Sequence, residues 1–243
     1  MSGHSKWHNI QAHKGKQDQK KAASFTKVAR MITVAAKQGG GDPIMNFTLR
    51  LAIEKAKEVN LPKENIERAI KKGTGELADE IQLEEVMYEG FGPGGVGILV
   101  DVVTDNKNRT APEMKHFFSL HGGTFAGPGS VKWQFNQKGA VRINAEEKAK
   151  IADKDSFELA LIDAGAEDIQ MHDFGVEVYC PVDKLQKVLE TIKASGVGVS
   201  ESGIEWIAKE TTPVTPEVSE QLMALANALE AMDDVRAVYT NEA

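Results

Sequence analysis

Apolar residues recur along this chain with two different periods, and the change from one to the other divides it. From Lys16 to Gln38, Ala22, Phe25, Val28, Ala29, Ile32 and Ala36 return at about 100° per residue. That spacing predicts an amphipathic helix with Lys16, Lys20, Lys27, Arg30 and Lys37 on its other face. Val34 falls inside the basic face, and Lys21 sits near the apolar edge. Gly39-Gly40-Gly41 ends the helix, and Asp42 as N-cap with Pro43 in the first turn starts a second one. It runs to about Val59 with Ile44, Phe47, Leu51 and Ala52 inward. Asn60-Leu61-Pro62 breaks it, and a short third helix (Ile66, Ala69, Ile70) stops at Gly73. Residues 1–15 have no usable period and read as an arm.

Beyond residue 79 the period shortens. Glu85 to Phe91 and Gly95 to Val103 read as two strands around Gly92-Pro93-Gly94, a hairpin signal. Thr110-Ala111-Pro112-Glu113 has the form of a capping box and opens a helix through Met114, Phe117, Phe118 and Leu120. The alternation Val131, Trp133, Phe135 predicts a strand, and Asn136 to Gly139 a turn into Ala140 to Ile143. A helix follows near Ser156 to Ala164, then two strands flanking His172 to Gly175, and a helix carrying Val182, Leu185, Val188 and Ile192. A strand near Ile204 to Ile207, a linker over 211–216, a helix from Pro216 (Val218, Leu222, Leu225, Leu229) and a strand over Val235 to Tyr239 complete the series.

The closing helix and strand need a sheet, while the β-β-α piece from 79 to 130 is too short for a secure core of its own. Joining them leaves 131–204 as an inserted, compact ββαββα unit of ferredoxin-like type. The expected fold class is α+β in three domains: a three-helix domain at 1–78, a discontinuous two-layer α/β sandwich at 79–130 plus 205–243, and a second sandwich at 131–204 inserted in it.

Charge sharpens this division. Up to Gly41 there are eight Lys or Arg against one acid, Asp18; from Glu76 onward there are fourteen bases against thirty acids. The net charge of −7 conceals a basic head on an acidic body. Solubility needs net charge of either sign, so it does not explain segregation; the head is suited to a polyanion. The candidate nucleic-acid contacts are His4, Lys6, Trp7, His8, Lys14, Lys16, Lys20, Lys21, Lys27, Arg30 and Lys37. Lys107 and Arg109 join them from the polar run Asp105 to Thr110, whose plainer reading is a turn with an N-cap. Trp7 reads either as a buried anchor for the arm or as a stacking platform for a base.

The remaining candidates for chemistry are weak. Gly92-Pro93-Gly94-Gly95-Val96-Gly97 matches G-x-G-x-x-G, but the strand-forming run Ile98 to Val103 follows it where a dinucleotide fingerprint requires a helix. His4, His8 and His13 have near-helical spacing without the thiolates or fourth ligand of a structural zinc site. Cys180, the one cysteine, lies in an apolar strand and permits no internal disulfide. No catalytic residue, metal or cofactor is expected, and no enzyme. No apolar run has the length of a membrane span, and the N-terminus lacks a signal peptide's apolar core, so the expected location is the cytoplasm. Nothing in the sequence fixes an oligomeric state.

Several segments together resemble the YebC/PmpR family: MSGHSKWH over 1–8, Phe25-Thr26-Lys27, Gly39 to Pro43, Tyr88 to Gly95, Thr104 to Thr110, and Asp233-Asp234-Val235 to Tyr239. The likeness spans the chain, and the arm shows no departure. It implies a three-domain protein with a helical N-terminal domain and two α+β domains. It further implies a cytoplasmic transcriptional regulator that binds DNA, or, as in the mitochondrial translational activator branch, a factor acting on the ribosome and its RNA. The family has no fixed catalytic set, so the resemblance carries over no catalytic residue.

Overall fold

The protein is described here by a computed structural model, which covers residues 21–77 and 83–243. Among these residues the chain forms α1 (Lys21–Gly39), α2 (Phe47–Glu58), α3 (Lys63–Gly73), β1 (Glu84–Phe91), β2 (Gly97–Thr104), α4 (Lys107–Leu120), β3 (Thr124–Ala126) and β4 (Phe135–Asn144). There follow α5 (Ala145–Lys148), α6 (Lys154–Ala164), β5 (Asp168–His172), β6 (Gly175–Cys180), α7 (Leu185–Ala194), β7 (Glu201–Ala208), α8 (Pro216–Glu230) and β8 (Val235–Thr240). It is an α+β fold, with one compact unit at Phe135–Ala208 inserted in the other.

In the larger unit, Val28, Ile32, Ala35 and Ala36 of α1 pack against Leu49, Ala52 and Ala56 of α2 and Ala69 of α3. Gly73 lets α3 lie directly on α1, because a Cβ there would stand 2.2 Å from the Thr33 carbonyl oxygen. The same unit holds an antiparallel sheet ordered β3-β1-β2-β8. Ile98, Val100, Val102 and Val238 cover one face of this sheet with Met114 and Phe118 of α4 and Leu222, Leu225 and Leu229 of α8.

Here α1 differs from a simple two-faced helix. Val34 is buried, with Leu83 and Val103; it is a second apolar contact, made to the sheet region. Phe25, expected in the core, is 38% exposed. The second helix starts at Phe47, not at Pro43, because Asn46 is the N-cap: its side chain accepts the Leu49 N–H at 3.0 Å. The inward face shifts accordingly to Leu49, Ala52 and Ala56, and Ile44 stands in solvent. Asn106 likewise caps α4, so this helix opens three residues before Thr110.

Apart from the single-turn α5, the inserted unit has the order β4-α6-β5-β6-α7-β7, with the sheet ordered β5-β6-β4-β7 and all neighbours antiparallel. This is the split β-α-β arrangement of ferredoxin-like folds. The expected turn at Asn136–Gly139 is continuous strand, paired with β7 from Phe135↔Ala208 onward. Gly139 serves close packing: a Cβ there would lie 2.8 Å from Leu185 Cβ and 2.9 Å from Cys180 Sγ. The expected strand at Val131–Trp133 is instead a turn, with Lys132–Gln134 in a single 3-10 turn and Trp133 67% exposed.

Candidate nucleic-acid interface

Eleven bases and six acids lie between Lys21 and Leu77, so the three-helix part of the described chain keeps a basic excess. Of the predicted contact residues, His4, Lys6, Trp7, His8, Lys14, Lys16 and Lys20 lie outside the described residues, as does the His4/His8/His13 group. Lys21 opens α1. Lys37 is exposed in the last turn of that helix, where its charge also complements the helix dipole.

Lys27 and Arg30 face inward, toward the sheet region. The Lys27 ammonium donates to the Glu230 carbonyl oxygen. Arg30 is ion-paired with Asp234 and donates to the Asp233 carbonyl oxygen at 3.1 Å and that of Val103 at 3.3 Å. Gln38 donates to Glu85 at 2.9 Å. Positions 27, 30, 34 and 38 form one helical stripe, and it holds the basic helix to the acidic body.

Asp234 is the centre of this joint. Arg109 donates to its Oδ2 at 3.0 Å, and the Thr104 and Thr110 hydroxyls lie 2.9 and 2.8 Å from the same atom. Burial alone would raise the Asp234 carboxyl, but the hydrogen bonds from Arg109, Thr110, Arg30 and Thr104 outweigh it and hold the pKa at about 2. Arg109 also donates to Asp105 at 2.8 Å, and Lys107 is ion-paired with Glu84 at the surface. The polar run from Asp105 to Thr110 thus knits β2, α4 and β8 together around one carboxylate. Its sequence signal was the density of hydrogen-bonding side chains; the partner, Asp234, is too distant in sequence to be inferred.

Glu89 is a second carboxylate with an internal task. It is 3% exposed and accepts backbone N–H groups from Gly129 and Val131, both at 2.6 Å, and from Lys132 at 2.8 Å. Burial opposes its charge, yet the three donors hold its pKa below the usual range. They also curl the chain at 129–132, which explains why no strand forms there.

The inserted unit turns an acidic face away from its helices. Gln170, Glu177, Arg142 and Glu201 stand in one row across β5, β6, β4 and β7. Arg142 donates to Glu177 at 3.2 Å and to both oxygens of Glu205 at 2.5 and 2.8 Å, while Tyr179 donates to Glu177 at 3.0 Å. In RNA-recognition domains of the same β-α-β-β-α-β order, this sheet face carries aromatic residues that stack on bases. Here the corresponding positions hold one guanidinium paired with the carboxylates of Glu177, Glu201 and Glu205.

The glycine run at 92–97 links two antiparallel strands, with Gly94 and Gly95 at φ of 72° and 75°. A strand follows it, so no helix N-terminus faces a pyrophosphate there. Cys180 is buried, and burial pushes its thiol up to about 11, away from thiolate chemistry.

These features define a class: an α+β protein with a basic three-helix head and two antiparallel sheets, one of them in an inserted unit. The chain belongs to the TACO1/YebC family. Residues 5–76 match the TACO1/YebC protein N-terminal domain, and residues 83–242 match the TACO1/YebC second and third domain. A probable transcriptional regulatory protein of Pseudothermotoga lettingae is 48% identical over 241 residues, 99% of this chain and 93% of that one. One of Fusobacterium nucleatum is 48% identical over 242 residues, 99% of this chain and 95% of that one. The crystal structure of a conserved hypothetical protein from Aquifex aeolicus superposes with a TM-score of 0.83 at 40% identity, covering 93% of this chain and 91% of that one.

Proposed function

We propose that this protein is a cytoplasmic transcriptional regulator that binds DNA through its basic N-terminal arm and helical head. The observation that carries this reading is the segregation of charge, with a basic excess over the first 75 residues of an otherwise acidic chain. Such a head attracts phosphates and releases their counterions, whereas the acidic body opposes non-specific wrapping. The relatives' names, probable transcriptional regulatory protein, support the regulatory part of this reading. His4, Lys6, Trp7, His8, Lys14, Lys16, Lys20, Lys21 and Lys37 carry the contact. Lys27, Arg30 and, through Asp234, Arg109 orient the head on the body, and Lys107 adds to the same field.

A second reading has one specific observation in its favour. The stripe through Lys27, Arg30, Val34 and Gln38 is closed on the sheet region, so α1 does not stand clear as a major-groove recognition helix would. Recognition by phosphate position and shape suits ribosomal RNA, which would make the protein a translation factor. Crosslinking the protein in cells and sequencing the attached nucleic acid separates the two. Enriched promoter DNA is the expected result; predominant ribosomal RNA would replace the regulator reading with the ribosomal one.

A further inference from the structure

Ile44 and Met45 are 80% and 82% exposed, more than any other large hydrophobic residue among the described ones. They are adjacent, and they sit on a braced turn. The Asp42 carboxylate accepts the Ile44 N–H at 2.8 Å, and the Asp42 carbonyl oxygen accepts the Asn46 N–H at 2.8 Å. Buried Asn46 donates to the carbonyl oxygens of Ala35 and Gly40, both at 2.8 Å, fixing the turn to the end of α1. Two large apolar side chains are therefore held in water on a firm support, an arrangement that costs free energy unless something covers them.

The surroundings of this tip are cationic. Gly41 lies against α3, since a Cβ there would stand 2.9 Å from Thr74 Cγ2 and 3.1 Å from Ile70 Cγ2. The last turns of α1 and α3 thus meet beside the tip, carrying Lys37 and the pair Lys71 and Lys72. Arg50, in the first turn of α2, lies 5.2 Å from the Phe47 ring centre. Among the described residues, the acids at this end include Asp42, which caps the turn, Glu76, which accepts from Thr74 at 2.7 Å, and Glu85, which accepts from Gln38 at 2.9 Å and is paired with Arg236. Lysines in last helical turns complement the helix dipole, but dipoles do not account for an isoleucine and a methionine at the apex between them.

An apolar point in a basic rim is the complement of stacked bases between phosphate rails. A stable protein partner would need about 800 Å² per side, far more than two side chains offer, whereas one inserted wedge suffices to open a base step. We infer that Ile44 and Met45 form a wedge that enters a base-pair step of duplex DNA and bends it, with Lys37, Arg50, Lys71 and Lys72 on the flanking phosphates. Pyrimidine–purine steps, the easiest to unstack, are its preferred targets. This inference rests on the DNA-binding reading of the head and says where that head meets the bases.

The test uses the full chain and duplexes of about 30 base pairs with a dye at each end and either a TA or an AA step at the centre. Energy transfer reports the bend, and anisotropy reports binding. The wild type is expected to bind and to bend the TA duplex by roughly 20–90°. The I44S/M45S variant loses the bend and the preference for TA over AA. Its thermal melt matches the wild type, because both positions are exposed. L159S, which removes an exposed leucine on the inserted unit, bends DNA as the wild type does. Equal bending by I44S/M45S overturns the wedge while leaving DNA binding intact. A wild type that binds neither duplex overturns the DNA-binding reading itself, and the wedge falls with it. Straight DNA together with a tip-dependent fluorescence change on an RNA hairpin carrying 2-aminopurine overturns the assignment to duplex DNA.

Discussion

Arg30, on the first helix of the basic head, is ion-paired with Asp234, 204 residues further along the chain. The pairing makes the basic helix part of the body's framework. Asp234 also receives Arg109, Thr104 and Thr110, so one carboxylate joins α1, β2, α4 and the start of β8. Removing it strands two guanidinium groups at a partly buried joint. D234A is expected to lower stability by about 3 kcal/mol, in the range for breaking a buried pair from one side. Urea unfolding at neutral pH, followed by circular dichroism, measures this.

The same carboxylate sets a pH dependence. Its pKa of about 2 in the folded protein is below its ordinary value, so its ionised form is the one that stabilises the fold. That contribution is complete above the unfolded-state pKa near 4 and is lost as the pH falls toward 2. The stability difference between wild type and D234N is therefore expected to shrink across this window. Urea midpoints of both proteins at pH 5, 4, 3 and 2 check it; a constant difference would remove Asp234 as the source.

Glu89 offers a local test. E89Q keeps one acceptor oxygen but replaces the other with a donor that faces backbone N–H groups. A cost of about 2 kcal/mol is expected from the unsatisfied buried groups. Hydrogen exchange should quicken at Gly129, Val131 and Lys132, the three residues whose amides the carboxylate now holds.

Where the structure departs from the sequence pattern, one physical cause recurs. Element types followed from periodicity, as in α3 or in the β1–β2 hairpin, because those patterns are local. Misplaced boundaries came from side chains whose partners are elsewhere. Asn46 reads as an ordinary polar residue until its bonds to Ala35 and Gly40 identify it as the cap, and Ile44 then leaves the core. Val34 interrupts the basic face of α1 in the sequence because its partners, Leu83 and Val103, lie far along the chain. Gly139 reads as a turn residue in the sequence, whereas in the fold it makes room for Leu185. The charge segregation of the head was legible because charge adds up along the chain. That Lys27 and Arg30 turn toward Glu230 and Asp234 was not, because it depends on contacts more than 200 residues apart.

In the inserted unit, Arg142 balances Glu177 and Glu205. R142M leaves Glu177, which is fully buried, without its guanidinium and should cost roughly 3–5 kcal/mol. The double variant R142M/E177L removes both charges and is expected to recover most of that loss. Thermal melts of the two variants beside the wild type decide the point, and equal damage in both would mean that the pair is not coupled.

The central claim is that the basic head meets nucleic-acid phosphates, and the salt dependence of binding to duplex DNA tests it most directly. With about six cations on phosphates, log K is expected to fall against log[salt] with a slope near −5. The triple variant K14E/K16E/K20E should bind more weakly and flatten the slope to about −3. The same affinity and the same slope in wild type and triple variant would contradict the account.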